Sequence, residues 1–233
     1  MRRIFIHPLV SGLVLLGLLA CANGAPQRGE LARERGDVAL ALGNPVDAAD
    51  AYREALSIEP KDPPALLGMA RSHVAQGDGE AALVFFGRLA AADPTYFEAE
   101  AATDFHFALY QAAKQALHRG DSTLALRQVR RLRELDPDHG GLEELETEVL
   151  ILEGGRLQVA GRPEAAEALL QEAMGRGTPE ADREAAVALA SALLERGQND
   201  RAISVLSDAL LRHPGDSELR ALMDGALEIR YPQ

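Results

Sequence analysis

Only one cysteine, Cys21, occurs in the 233 residues, and tryptophan is absent. A lone thiol excludes a disulfide framework and any zinc site built on several cysteines. Aromatic residues are 4% of the chain and β-branched residues are sparse, whereas Ala, Leu, Glu and Arg dominate. That balance favours helix throughout, so the expected fold class is all-α. Lysine appears twice, as Lys61 and Lys114, and the formal net charge is −12. A uniformly basic face for nucleic acid is therefore not expected. Also missing are a glycine-rich phosphate loop with lysine, a Gly-x-Ser-x-Gly elbow and a His-Glu-x-x-His pair. Asp and Glu are abundant, but they fall where solvated helix faces would put them. No catalytic residue, cofactor, metal or small-molecule substrate is expected.

What is present begins with an address. Arg2 and Arg3 precede a 12-residue apolar run, Leu9–Ala20. A membrane-spanning helix needs about 20 apolar residues, and His7 and Pro8 interrupt the early part, so residues 1–20 read as a cleaved export signal. The run ends in Leu18-Leu19-Ala20-Cys21, which resembles the bacterial lipobox. The resemblance implies that Cys21 carries a thioether-linked diacylglycerol and is the lipidation site. Two or three palmitate-type chains, at about 0.8 kcal/mol per buried methylene, anchor stably. Ala22 follows the cysteine in place of the Asp that retains enterobacterial lipoproteins at the inner membrane, which favours the outer membrane. Arg2-Arg3-Ile4-Phe5-Ile6 loosely resembles a twin-arginine signal, so both that route and the general secretory route stay open. Residues 21–28 are expected as lipidated cysteine and short tether, which holds the folded part close to the bilayer.

The rest repeats. Gly43, Ala48, Tyr52, Ala55 and Pro60 set a pattern that recurs as Gly77, Ala82, Phe86, Leu89 and Pro94. It returns as Gly120, Ala125, Val129, Leu132 and Pro137, and as Gly161, Ala166, Leu170 and Ala173 with Pro179 one place late. A fifth copy gives Gly197, Ala202, Leu206, Ala209 and Pro214. Each position has a physical reason. Glycine supplies positive φ between two antiparallel helices. The small Ala lets them approach, and residues four and seven further on share its buried stripe. Proline cannot continue a helix interior and ends the unit. This pattern resembles the tetratricopeptide (TPR) repeat over residues 29–216, although the family's first-helix Trp is missing. Gly36 and Gly154 match its first-helix glycine. The resemblance implies a TPR superhelix of about five helix-turn-helix repeats, followed by a capping helix over residues 217–233.

Glycine spacings of 34, 43, 41 and 36 residues leave two insertions, Phe97–Phe105 and Gly140–Glu146. Each is close to two helical turns and predicts a lengthened or added helix. Asp136-Pro137-Asp138-His139-Gly140 falls at an inter-repeat turn, where these residues are turn formers. Arg127, Arg130, Arg131 and Arg133 read as a solvated face paired with Glu134.

First helices line the groove in TPR proteins. Carried over position by position, the resemblance nominates Arg33, Asp37, Arg71, Tyr110, Gln111, Lys114 and His118 as partner-binding. Tyr96, Phe97, Phe105, Phe107 and Tyr110 crowd beside the larger insertion. Rings at such a break either fill the irregular gap or anchor an interface, with Tyr96, Phe97 and Phe107 as the added contacts. Small repeat lipoproteins of this build resemble pilotins and type IV or Tad pilus-assembly lipoproteins. That implies protein partners at the outer membrane, such as a secretin or pilus component. An adaptor for β-barrel insertion machinery or peptidoglycan hydrolases is the alternative.

Overall fold

Five turns of one kind set the architecture. Gly43, Gly77, Gly120, Gly161 and Gly197 have φ of 77°, 76°, 76°, 70° and 69°. In each turn the N–H of the following residue donates to the carbonyl five residues back at 2.9 Å, from Asn44 to Ala39 through Gln198 to Leu193. The bond closes the exposed end of one helix and reverses the chain into the next.

The computed structural model describes residues 26–230; Cys21, the expected leader and residues 231–233 lie outside the described residues. All regular structure described is helical. The turns join α1 (26–41) to α2 (Pro45–Ile58), α3 (Pro63–Ala75) to α4 (Gly79–Ala92) and α6 (Ala102–His118) to α7 (Ser122–Leu135). They also join α8 (Leu142–Val159) to α9 (Pro163–Ala173) and α10 (Pro179–Glu195) to α11 (Asn199–Arg212). Between the second and third pairs lies α5 (Pro94–Glu100), and α12 (Ser217–Arg230) ends the array. Starts are specified locally. Proline opens α2, α3, α5, α9 and α10, where its missing N–H costs nothing. Asp78, Asp93, Asp121 and Asp216 each accept from the backbone N–H three residues on, at 2.8–3.1 Å, and so cap α4, α5, α7 and α12.

The repeat register is visible in burial. Ala48, Ala82, Ala125, Ala166 and Ala202 are fully buried, and so are the apolar residues four and seven places after each. With no free volume there, Ala125→Leu or Ala166→Leu should lower unfolding free energy by about 1–2 kcal/mol through overpacking. Urea titration followed by circular dichroism measures it, and parent-like midpoints in both variants would overturn the register.

The first insertion becomes an added helix, the separate seven-residue α5, and the second falls in the turn before α8 and its first turn, α8 running to 18 residues against 13 in α3 and 17 in α10. The Asp136–Gly140 turn is closed internally, with His139 Nδ1 3.1 Å from Asp136 Oδ2. On α12, Leu219 and Ala226 are buried while Arg220, Asp224, Glu228 and Arg230 are exposed, as a terminal cap requires. One boundary shifts. Helix begins at residue 26, so it reaches three residues into the stretch expected as tether, with Pro26 at its start.

The chain divides within α6 into two compact units, one ending at Gln111 and one beginning at Ala112. In the first, the Tyr52 ring fills the space between Gly36 of α1 and Gly68 of α3. In the second, α8 is buried around much of its circumference, including two carboxylates, Glu146 and Glu153. Glu153 accepts from Arg156 Nε at 2.7 Å and Ser122 Oγ at 2.7 Å. The Arg156 bond outweighs burial and holds its carboxyl below the usual range. Glu146 accepts from Arg133 Nε at 3.1 Å, with Arg176 3.6 Å away. The arginine run of α7 thus pairs differently from expectation. Arg133 reaches Glu146 and Arg130 reaches Glu172 at 3.5 Å, because the carboxylates that face α7 come from α8 and α9.

Candidate functional site

The polar side chains nominated on the first two first-helices converge in the first unit. Arg33 Nη1 stands 3.7 Å from Asp62 Oδ2, just before α3. Asp37 Oδ1 accepts the Tyr52 hydroxyl at 2.7 Å. Burial, then this carboxylate, push the phenol well above its ordinary pKa, so it stays a neutral donor. Arg71 Nε donates to Asp104 Oδ2 at 2.7 Å and Nη2 to the Glu100 carbonyl at 3.1 Å, tying α3 to the end of α5 and the start of α6.

Tyr96 completes the cluster from α5. It is half-buried, and its hydroxyl pKa is raised first by burial and then by the Glu100 charge, with Arg71, Asp62 and Arg33 also within electrostatic reach. Burial likewise raises the Asp62 carboxyl while Arg33 opposes it. The face therefore carries two guanidiniums, from Arg33 and Arg71, among four carboxylates, Asp37, Asp62, Glu100 and Asp104. A surplus of negative charge beside a half-buried ring suits a basic or amide-rich segment of a protein. Among the described residues, no group of three or more His, Cys, Asp or Glu is arranged to hold a metal ion.

The aromatic residues divide between the two roles open to them. Phe97 and Phe105 turn inward, edge-on to each other at 5.3 Å and to Phe86 at 6.4 and 5.7 Å. Their geometry is that of a packed aromatic cluster, so Phe97 fills the gap beneath α5. Phe107 stays 43% exposed on α6, and Tyr110 is half-buried. Gln111 Nε2 donates to the Val74 carbonyl at 3.2 Å, which joins α6 to α3. Lys114 and His118 lie further along α6, exposed, in the second unit.

Sequence reasoning missed the acidic partners. Asp62, Glu100 and Asp104 lie on or beside other helices, and only folding brings them to Arg33 and Arg71. Their signal was slight: each falls within two residues of a helix boundary, where acids are common caps.

No curated protein matches the chain. A thermophilic TPR protein of Thermus thermophilus shares 26% identity over 85% of this chain and 98% of its own, with a TM-score of 0.35. A TPR repeats protein from Bacteroides fragilis shares 14% identity over 86% and 98%, with a TM-score of 0.58. The second likeness is one of fold. The family model described as "Tetratricopeptide repeat" matches residues 39–103 and 159–224, more than half of the chain. Each matched stretch holds turn glycines and buried alanines of the repeats described above, and the protein belongs to the tetratricopeptide repeat family, whose helical arrays are scaffolds for protein–protein interaction.

Proposed function

We propose that the protein is a lipid-anchored scaffold on the periplasmic side of the outer membrane, which holds a basic segment of a protein partner and assists assembly of a pilus or secretin complex. The observation that carries the binding part is the convergence of Arg33, Asp37, Arg71 and Tyr96 on one acidic face of the first unit. Their internal bonds hold the side chains in place before a partner arrives, which lowers the entropy lost on docking. Lipidation of Cys21 rests on its place after the apolar run, and the pilus or secretin role rests on resemblance of build.

Two experiments test it. Cys21→Ser should leave an unprocessed or soluble species and strip the protein from outer-membrane fractions; unchanged processing and fractionation would refute the anchor. A photo-crosslinking residue in place of Tyr96, in cells that carry a pilus or secretin system, should capture an outer-membrane component of that system. Asp62→Asn combined with Glu100→Lys should reduce that capture at least about tenfold without loss of helicity, since both changes take from the face the negative charge that draws a basic segment. Undiminished capture by the folded double variant would place the binding surface elsewhere.

A further inference from the structure

The first helix leaves one side bare. Leu31, Val38 and Leu42 are 59%, 59% and 71% exposed along a single stripe of α1. They line an open groove of about 700 Å³ whose rim holds Arg28, Glu34 and Arg35. Arg35 pairs with Glu54 across the groove's edge, so the face is apolar along its middle and neutral at that edge.

The repeat itself shows what this side does elsewhere. A step of 34 residues carries Gly43 to Gly77, and with it Leu31, Glu34 and Val38 to Ala65, Gly68 and Ser72. Those three are buried under α2. They are small, and at Gly68 the Tyr52 ring comes so close that a Cβ would lie 2.3 Å from Cζ. In α3 the close approach of α2 uses small residues at these positions, whereas α8 packs on α7 with Val149, Leu152 and Arg156 there. In α1 the same positions hold Leu, Glu and Val. A helix seated as closely as α2 would meet larger side chains there.

Bulky apolar side chains flanked by charges at the ends of long stems suit a softer partner. We infer that this face of α1 rests on a bilayer surface, Leu31, Val38 and Leu42 entering the interface while Arg28 and Arg35 extend toward the headgroups. The inference rests on the proposed lipid anchor at Cys21. From Cys21 to the helix start at residue 26 the chain can reach about 18 Å at most, so an anchored cysteine holds α1 against the membrane. Three apolar residues bind a bilayer weakly alone, but beside an anchor they act at high effective concentration. Among the described residues no helix is long and apolar enough to cross a membrane.

Because the chain lacks tryptophan, Val38→Trp gives a single reporter. The full chain, processed in a bacterial host, is reconstituted in vesicles of phosphatidylethanolamine with a minority of phosphatidylglycerol carrying brominated acyl chains. Emission should shift to the blue and be quenched by the bromines. Adding Leu31→Glu and Leu42→Glu should abolish both effects while helicity is kept. Solvent-like, unquenched emission from anchored protein would overturn the inference. So would a blue shift without vesicles that tracks a doubled mass in sedimentation, or one that needs a second protein; these assign the face to another copy or to a partner. The mass of the Cys21 peptide reads the anchor separately. If that peptide is unmodified the lipoprotein reading fails by itself, and coupling Cys21 to a maleimide phospholipid still tests the face.

Discussion

Gly68→Ala should destabilise the first unit by about 2–3 kcal/mol, although the same change raises helix propensity by about 1 kcal/mol at an ordinary helical site. The cause is the Tyr52 ring. A Cβ on Gly68 would lie 2.3 Å from Tyr52 Cζ and 2.4 Å from Cε1. The ring has little room to retreat, because α1 also abuts it: a Cβ on Gly36 would lie 2.7 Å from Tyr52 Cε1. The hydroxyl is held by Asp37, and the residue is 1% exposed. Relief must come from moving α1, α2 or α3 apart, which opens voids in a close-packed interior. Gly87→Ala on α4 is the control. Gly87 is exposed, and an added Cβ meets nothing within 4 Å, so that variant should gain up to about 1 kcal/mol. Gly154→Ala meets the Leu170 side chain at 2.8 Å; Leu can change rotamer, and the loss should be smaller than at Gly68. Combining Gly68→Ala with Tyr52→Leu should recover part of the loss. Amide exchange along α1–α4 during urea titration reads the variants of the first unit, and exchange along α8 and α9 reads Gly154→Ala. If Gly68→Ala and Gly87→Ala move stability in the same direction, the wedge is not what sets helix spacing.

Gly36 and Gly154 were recognisable in the sequence as first-helix glycines, whereas Gly68 was not, because three of its repeat-mates at the same offset, Glu34, Gln111 and Leu152, are not small. The contrast shows which features a sequence exposes. The five-position pattern could be read because each position answers a local demand: a left-handed backbone at Gly43, contact between two consecutive helices at Ala48, chain reversal near Pro60. Sequence distance and spatial distance coincide there. Even the first insertion obeys the same logic, since two turns of helix can be added without altering a turn.

The paired acids were invisible for the opposite reason. Asp and Glu on helices are usually solvated, and nothing near Glu146 or Glu153 in sequence marks them as enclosed. They become so because α8 is packed between α7 on one side and α9 and α10 on the other. Arg133 sits one residue before Glu134, yet its partner is Glu146, 13 residues away and opposite it in space. The candidate face followed the same division. Arg33, Asp37 and Arg71 were placed by family resemblance, but the carboxylates that orient the two arginines came from elements that no single helical pattern connects. Phe97 and Phe107 looked equivalent in the sequence. One lies beneath α5 and the other on an exposed side of α6, a distinction set by where the short α5 turns the chain.

Asp182→Ala should remove about 2–4 kcal/mol from the second unit at neutral pH and also remove its acid sensitivity between about pH 4 and pH 2. Asp182 is 6% exposed on α10 and its two oxygens are held from three sides. Oδ2 accepts from Arg212 Nε at 2.8 Å and lies 2.7 Å from His213 Nε2. Oδ1 accepts from the Gly175 N–H at 2.6 Å and Arg212 Nη2 at 3.2 Å. The carboxylate thus fastens the end of α11 and the turn before α10 to α10 itself. Truncation strands a backbone N–H and an imidazole in a half-buried place. Arg212 is 39% exposed and can rehydrate, which keeps the loss below that of a fully enclosed pair. Burial alone would raise this carboxyl, but Arg212, His213 and the Gly175 N–H together hold it at about 2, against an ordinary 3.8. A depressed folded-state pKa means that the unfolded chain takes up the proton first. The stabilisation is complete above the unfolded value and is lost as pH falls through the folded one, a change of about 2 kcal/mol. Other carboxylates titrate in the same range, so the informative quantity is the difference between parent and variant. Unfolding free energies from urea titrations at about pH 6, 4, 3 and 2 should converge as pH falls, because the parent loses what the variant never had. Parallel curves across that range would mean that Asp182 is not ionised and paired in the folded protein.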